Sequence, residues 1–200
     1  MFVSDQPIKI DLRLKPGLDR SSKAIQTLQK VYDESSLEMT PHLVMLGTLL
    51  TYLKRYEEAE NALTGALAIR QAVLSHEHPL LGSVNKNLGR LYCETGRLQL
   101  AEPLLREALE SLLGLLNNAH PDIPEYKFDL AKLLIKQGNF AEAEELLTSA
   151  IEQRERQSNA NHPDLIDLLM SLAELTSATG DVSRSKSLTA RAESILATLT

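Results

Sequence analysis

The chain has 200 residues, 43% hydrophobic and 24% charged, with no Trp, nine Gly and eight Pro. At a mean hydropathy of -0.16 this composition excludes collagen-like, low-complexity and wholly disordered classes, and the length leaves room for a sizeable core. Lys and Arg number 21 against 27 for Asp and Glu, a net charge of -6, so no nucleic-acid partner is expected.

Cys93 is the single cysteine and cannot close an intramolecular disulfide, which suits a reducing compartment. Residues 1–10 lack both a basic opening and a continuous apolar run, so no secretory signal is expected, and with no run of about 18 apolar residues in the sequence no membrane insertion is expected either; the cytoplasm is the expected location.

In chain order, residues 1–18 read as an extended arm: Ile8, Ile10, Leu12 and Leu14 alternate with Lys9, Asp11, Arg13 and Lys15, the period of a strand. A lone strand cannot satisfy its own backbone. It must pair with a partner edge, pair with a second copy to give a homodimer, lie along the rest of the protein, or stay disordered. Over 19–35, Ala24, Ile25, Leu28, Val31 and Tyr32 keep helical spacing and predict a lone helix that covers the apolar face of its C-terminal neighbour.

From residue 41 the chain repeats itself with a period of 42. That shift stacks Leu46, Leu88, Leu130 and Leu172, then Leu49, Leu91, Leu133 and Leu175, then Ala66, Ala108, Ala150 and Ala192. Gly47, Gly89, Ala131 and Ala173 form a column of small residues, and Lys54, Gly96, Gly138 and Gly180 another of turn residues. Each copy (41–76, 79–117, 121–158 and 163–199) therefore predicts two helices, broken where a glycine supplies the left-handed residue that ends the first. Thr40-Pro41, His78-Pro79, His120-Pro121 and His162-Pro163 mark the helix starts, because proline at the first helical position loses no useful hydrogen bond. Expected first helices run over 41–53, 79–95, 121–137 and 163–179, and second helices over 56–74, 98–116, 140–157 and 182–199. One such pair cannot cover its apolar faces alone, and stacking neighbours solves that problem. Thr189, Arg191, Glu193 and Ser194 dilute the last helix into a polar cap.

The segments YEEAENAL (56–63), GRLQLAEPLLREAL (96–109) and GNFAEAEELL (138–147) resemble tetratricopeptide repeats, and the 42-residue period with His-Pro junctions resembles the kinesin light chain variety. The resemblance spans about 19–200 and implies an all-α fold: a right-handed tetratricopeptide-type helical solenoid of four helix-turn-helix repeats plus an N-terminal helix, forming a single domain. The period is longer than the 34 residues of the shorter repeat, best placed as about one added turn per helix. The long heptad segment of motor light chains is absent, which points to a generic scaffold.

The resemblance also implies a concave groove lined by first helices, where a partner's peptide would lie. It places Val44, Lys86, Phe128 and Met170 there, with Thr48, Arg90, Lys132 and Glu174, then Thr51, Cys93, Ile135 and Ser177, flanked by Tyr52, Glu94, Lys136 and Ala178. An asparagine often holds peptide backbone in that family; here Asn87 matches it, and Met45, Asp129 and Ser171 take the equivalent places. Lys86, Asn87, Arg90, Lys132 and Lys136 are the expected polar contacts, and Phe128 and Met170 the apolar ones. This basic set on an acidic body favours an acidic segment or a C-terminal carboxylate.

Other candidates have structural readings. His78, His120 and His162 lie one repeat apart, too far to share an ion, so no metal is expected. Cys93 reads as a small groove-wall residue, and Glu57, Glu58, Glu60, Glu142, Glu144 and Glu145 suit the first turns of second helices. No phosphate loop, nucleophile elbow or metalloprotease motif occurs. The expected function is a non-catalytic interaction scaffold or adaptor without cofactor; the alternative is a structural subunit of a permanent complex that oligomerises through its arm. Deleting residues 1–17 and measuring mass in solution separates these: an unchanged oligomeric state eliminates arm-driven dimerisation.

Overall fold

The computed structural model describes residues 36–75, 78–115, 120–158 and 162–198, with Asp19 and Lys23. The arm expected at 1–18, and the helix expected at 19–35 apart from those two positions, lie outside the described residues. Among the described residues there are eight α-helices and no strand. They fall into two compact units, one ending at residue 76 and one beginning at 77.

In the first unit a 3-10 turn, Leu37–Met39, leads into a hairpin of α1 (Thr40–Tyr52) and α2 (Tyr56–Val73). Its polar seam is buried: Arg70 Nε donates to Thr40 Oγ1 at 2.9 Å. The second unit holds three hairpins: α3 (Pro79–Glu94) with α4 (Leu98–Leu115), α5 (Ile123–Gln137) with α6 (Phe140–Gln157), and α7 (Leu165–Ala178) with α8 (Val182–Ala197). Here α4 packs on α5 and α6 on α7, while α3 meets α5 and α5 meets α7. The odd helices therefore stand side by side as one layer, backed by the even ones.

Small residues set the spacing within a hairpin. A Cβ built on Gly89 would lie 2.6 Å from Leu105 Cγ, and one on Gly47 2.5 Å from Leu63 Cγ, closer than any real Cβ contact. The leucine and alanine columns close over these seams: Leu91, Leu133 and Leu175 are buried with Ala108, Ala150 and Ala192. Side chains of the leucine class contribute on the order of 1.5–3 kcal/mol each when fully removed from water. On α8, Ala192 and Ile195 are buried while Glu193 and Ser194 are exposed, the polar outer face expected of a terminal helix.

Every first helix ends in the same way. Lys54, Gly96, Gly138 and Gly180 have φ of 58°, 76°, 81° and 98°, and the next amide reaches back to close the turn, as in Arg97 N to Tyr92 O at 2.8 Å and Asn139 N to Leu134 O at 2.9 Å. Arg55 N to Leu50 O, 2.9 Å, does this behind Lys54, so the left-handed turn forms there despite a Cβ that disfavours it.

The starts differ from expectation in two places. α1 and α3 begin at the Thr-Pro and His-Pro junctions, but α5 and α7 begin at Ile123 and Leu165, two residues later than expected. His120 Nδ1 accepts from Asp122 N at 3.1 Å and His162 Nδ1 from Asp164 N at 3.3 Å, which holds His-Pro-Asp as a turn ahead of the helix. His78 Nδ1 accepts from Leu80 N at 3.2 Å and there caps α3 itself, whereas the bonds of His120 and His162 fall in the turn before the helix.

Replacing Lys54 with Gly is expected to stabilise the fold by about 0.5–1 kcal/mol, since relief of left-handed strain exceeds the added unfolded-state entropy; a denaturant midpoint that falls would contradict this. Gly89→Val is expected to cost about 2 kcal/mol or more by forcing α3 from α4, read as a lowered thermal midpoint.

Candidate functional site

The odd-helix layer of the second unit carries the expected polar and apolar contacts, while Val44, Thr48, Thr51 and Tyr52 of the expected groove lie on α1 of the first unit. Helical spacing puts Lys86 and Arg90 one turn apart on α3, and Phe128, Lys132 and Lys136 one turn apart on α5. Packing of α3 on α5 brings the two sets together, and Met170 on α7 continues the layer. Phe128 and Met170 are partly buried against the core, so they offer edges of apolar surface.

The structure also brings in carboxylates that answer these cations. Lys86 Nζ lies 2.8 Å from Glu125 Oε1 and 4.7 Å from the centre of the Tyr126 ring. Arg90 bridges two acids, with Nη1 3.5 Å from Glu125 Oε1 and Nε 3.4 Å from Asp129 Oδ1. Lys132 sits over Phe128 at 5.6 Å, 3.9 Å from Glu94 Oε1. Lys136 donates to the Cys93 carbonyl at 2.9 Å. Asn87 Nδ2 donates to Ser83 O, one turn back on its own helix, at 2.8 Å. The expected basic floor is thus an interleaved set of cations and carboxylates. Glu125 is a partner that the repeat columns do not reveal, because it lies 39 residues from Lys86 and the columns align positions 42 apart.

Exposure separates the members of this set. Glu94 and Glu125 are 43% and 44% exposed, whereas Lys86 is 12% and Asp129 5%. Asp129 Oδ2 is buried without a hydrogen-bond partner. Burial pushes the Asp129 carboxyl up to about 6, against the pull of Arg90 and Lys86. A cavity of about 10 Å³ adjoins it, walled by Arg90, Cys93, Glu94, Asp129 and Lys132. Burial also pushes the Cys93 thiol up, with Lys136 opposing, the reverse of what a nucleophilic thiolate needs.

The even-helix side differs. Arg106 Nη1 donates to Glu142 Oε1 at 2.6 Å, tying α4 to α6, and Arg184 and Arg191 pair with Glu144 and Glu155, tying α8 to α6. An open hollow of about 610 Å³ there is lined by Ala141, Glu144, Glu145, Thr148, Ser149, Glu152 and Arg184. It is larger than the Asp129 cavity, but its arginine is already taken by Glu144, and no set of donors converges in it. No group of His, Cys, Asp and Glu among the described residues is arranged to hold a metal ion, and no described helix is long and apolar enough to cross a membrane.

The tetratricopeptide repeat family matches residues 38–113 and 125–197. The protein belongs to that family. No curated protein matches it by sequence. Among solved structures it is similar to BtubC (BKLC) of P. vanneervenii, with a TM-score of 0.74 and 21% identity over 92% of this chain and 74% of that one. It is also similar to a kinesin light chain-type protein of Podosopora anserina built of nearly identical TPR-like repeats, with a TM-score of 0.69 and 21% identity over 94% and 89%. PlcR of Bacillus thuringiensis, solved with the peptide PapR7 and DNA, gives 0.76 and 18% over 94% and 65%. These likenesses establish an all-α helical repeat fold.

Because the carboxyl of Asp129 is raised in the folded protein, Asp129 binds more proton in the native state than in the unfolded one between about pH 4 and pH 6, and its contribution to stability falls as pH rises through that window. Asp129→Asn is expected to abolish this fall and to raise the thermal midpoint by about 3 °C or more at neutral pH. A variant midpoint that tracks the wild type across the window would contradict the assignment.

Proposed function

We propose that this tetratricopeptide repeat protein is a non-catalytic scaffold or adaptor of the cytoplasm that captures an extended or helical segment of a partner protein in a groove formed by its first helices. The observation that carries the reading is the convergence of Lys86, Arg90, Lys132 and Lys136 on one layer, beside the apolar edges of Phe128 and Met170. A fold likeness to PlcR, whose structure contains the peptide PapR7, supports a peptide as the kind of ligand such repeats accept.

The mechanism is exchange of ion pairs. Exposed pairs such as Lys132 with Glu94 contribute only about 0–1 kcal/mol, so a carboxylate from an acidic segment or a free C-terminus can take over these cations at little cost. Asn87 supplies an amide once it releases Ser83 O. Binding of this kind is fast, moderate in strength and sensitive to salt.

Affinity capture from native lysate, comparing wild type with an Arg90→Glu/Lys132→Glu double variant of unchanged helicity, tests this. Partners held by wild type are expected to be lost from the variant, a weakening of about tenfold or more. Partners held equally by both would overturn the assignment of the groove.

A further inference from the structure

Asp129 is interred between the cations of this layer. Its side chain is 5% exposed, Oδ1 lies 3.4 Å from Arg90 Nε, and Oδ2 is buried with no hydrogen-bond partner. The adjoining cavity of about 10 Å³ has room for one water or one oxygen atom of a ligand. An ionised carboxylate only accepts hydrogen bonds. In that state Oδ2 offers an acceptor at the point where an acidic ligand would bring another. In the neutral acid the proton resides on Oδ2, because Oδ1 faces the guanidinium. Asp129, Arg90 and Lys132 share the wall of that small space with Cys93 and Glu94, so the neutral acid adds a hydroxyl donor beside two cations suited to a carboxylate oxygen.

We propose that Asp129 decides whether this layer accepts an acidic segment: as a carboxylate it holds Arg90 and repels the segment's oxygens, and as a neutral acid it releases Arg90 and donates to them. This rests on the groove reading above and names the residue that sets its selectivity. The proton comes from solvent, and no other bond forms or breaks. The charged groups acting on Asp129 are Arg90 and Lys86 from α3, and Glu125 and Lys132 from α5, with Cys93 and Glu94 of α3 completing the cavity wall. No charged group of α4, α6 or α7 among the described residues belongs to that set. Protonation leaves Lys86, Arg90, Lys132 and Lys136 facing Glu94 and Glu125 in place of three carboxylates. The raised carboxyl, at about 6, puts the change close to neutral pH. Since the ligand prefers the protonated form, affinity rises as pH falls through that value.

The test uses a fluorescent octapeptide of alternating Asp and Glu with a free C-terminal carboxylate. It is titrated into the full-length protein and into Asp129→Asn at about pH 5.8 and about pH 7.8 and constant ionic strength. Wild type is expected to bind about fivefold or more tightly at the lower pH, while the Asn variant binds equally at both and about fivefold more tightly than wild type at the higher. Asp129→Ser, the residue this column carries at Ser171, provides the same readout should the Asn variant fail to fold. A variant with the pH dependence of wild type, or no tighter at the higher pH, overturns the inference and leaves the groove standing. Absence of binding to every protein at both pH values overturns the groove reading and this inference with it.

Discussion

The structure depends on how closely two helices of a hairpin can approach. Where Gly89 faces Leu105, and Gly47 faces Leu63, there is no space for even a methyl group. That contact fixes the rotation of α1 and α3 about their own axes. With the small residue turned inward, Lys86 and Arg90 on α3, and Lys132 and Lys136 on α5, fall on the flank of the helix beside the neighbouring odd helix. The third and fourth copies carry Ala131 and Ala173 in this column, both buried, so their seams accommodate the methyl group that the first two exclude. The polar layer is thus a geometric consequence of the apolar one.

That layer is nearly neutral in spite of its lysines and arginines. Each cation finds a carboxylate or a carbonyl on the neighbouring odd helix. Exposed pairs add little stability, but they keep a line of cations in place without repulsion and leave partners that are easily exchanged. Asp129 is different in kind, since its burial makes ionisation costly. The layer therefore combines soft surface pairs with one buried group whose charge state depends on its surroundings.

Much of the fold was legible in the sequence because a repeat reports the same constraint several times over. The glycine at the end of each first helix predicted the left-handed turn, and Lys54 adopts it without a glycine because closure by Arg55 N follows the pattern of the other copies. The helix starts were less legible. α5 and α7 start two residues after the proline position implies, behind a turn in which His120 and His162 accept from Asp122 N and Asp164 N, and proline position alone does not reveal that turn. The charge balance of the candidate site was hidden for a related reason. Columns align equivalent positions, whereas Glu125 meets Lys86 and Arg90 obliquely across two helices, out of register with them. Asn87, matched by its column, turns back to Ser83 O in the free protein, a rotamer choice that sequence does not encode.

Amide hydrogen exchange of the full-length protein, with and without the acidic octapeptide, probes the groove most directly. Recognition by the odd-helix layer predicts slowed exchange in α3 and α5 around Lys86–Arg90 and Lys132–Lys136, with α4, α6 and α8 unchanged. Protection confined to α6 and α8, around Glu144, Thr148 and Arg184, would contradict it and move recognition to the even-helix side.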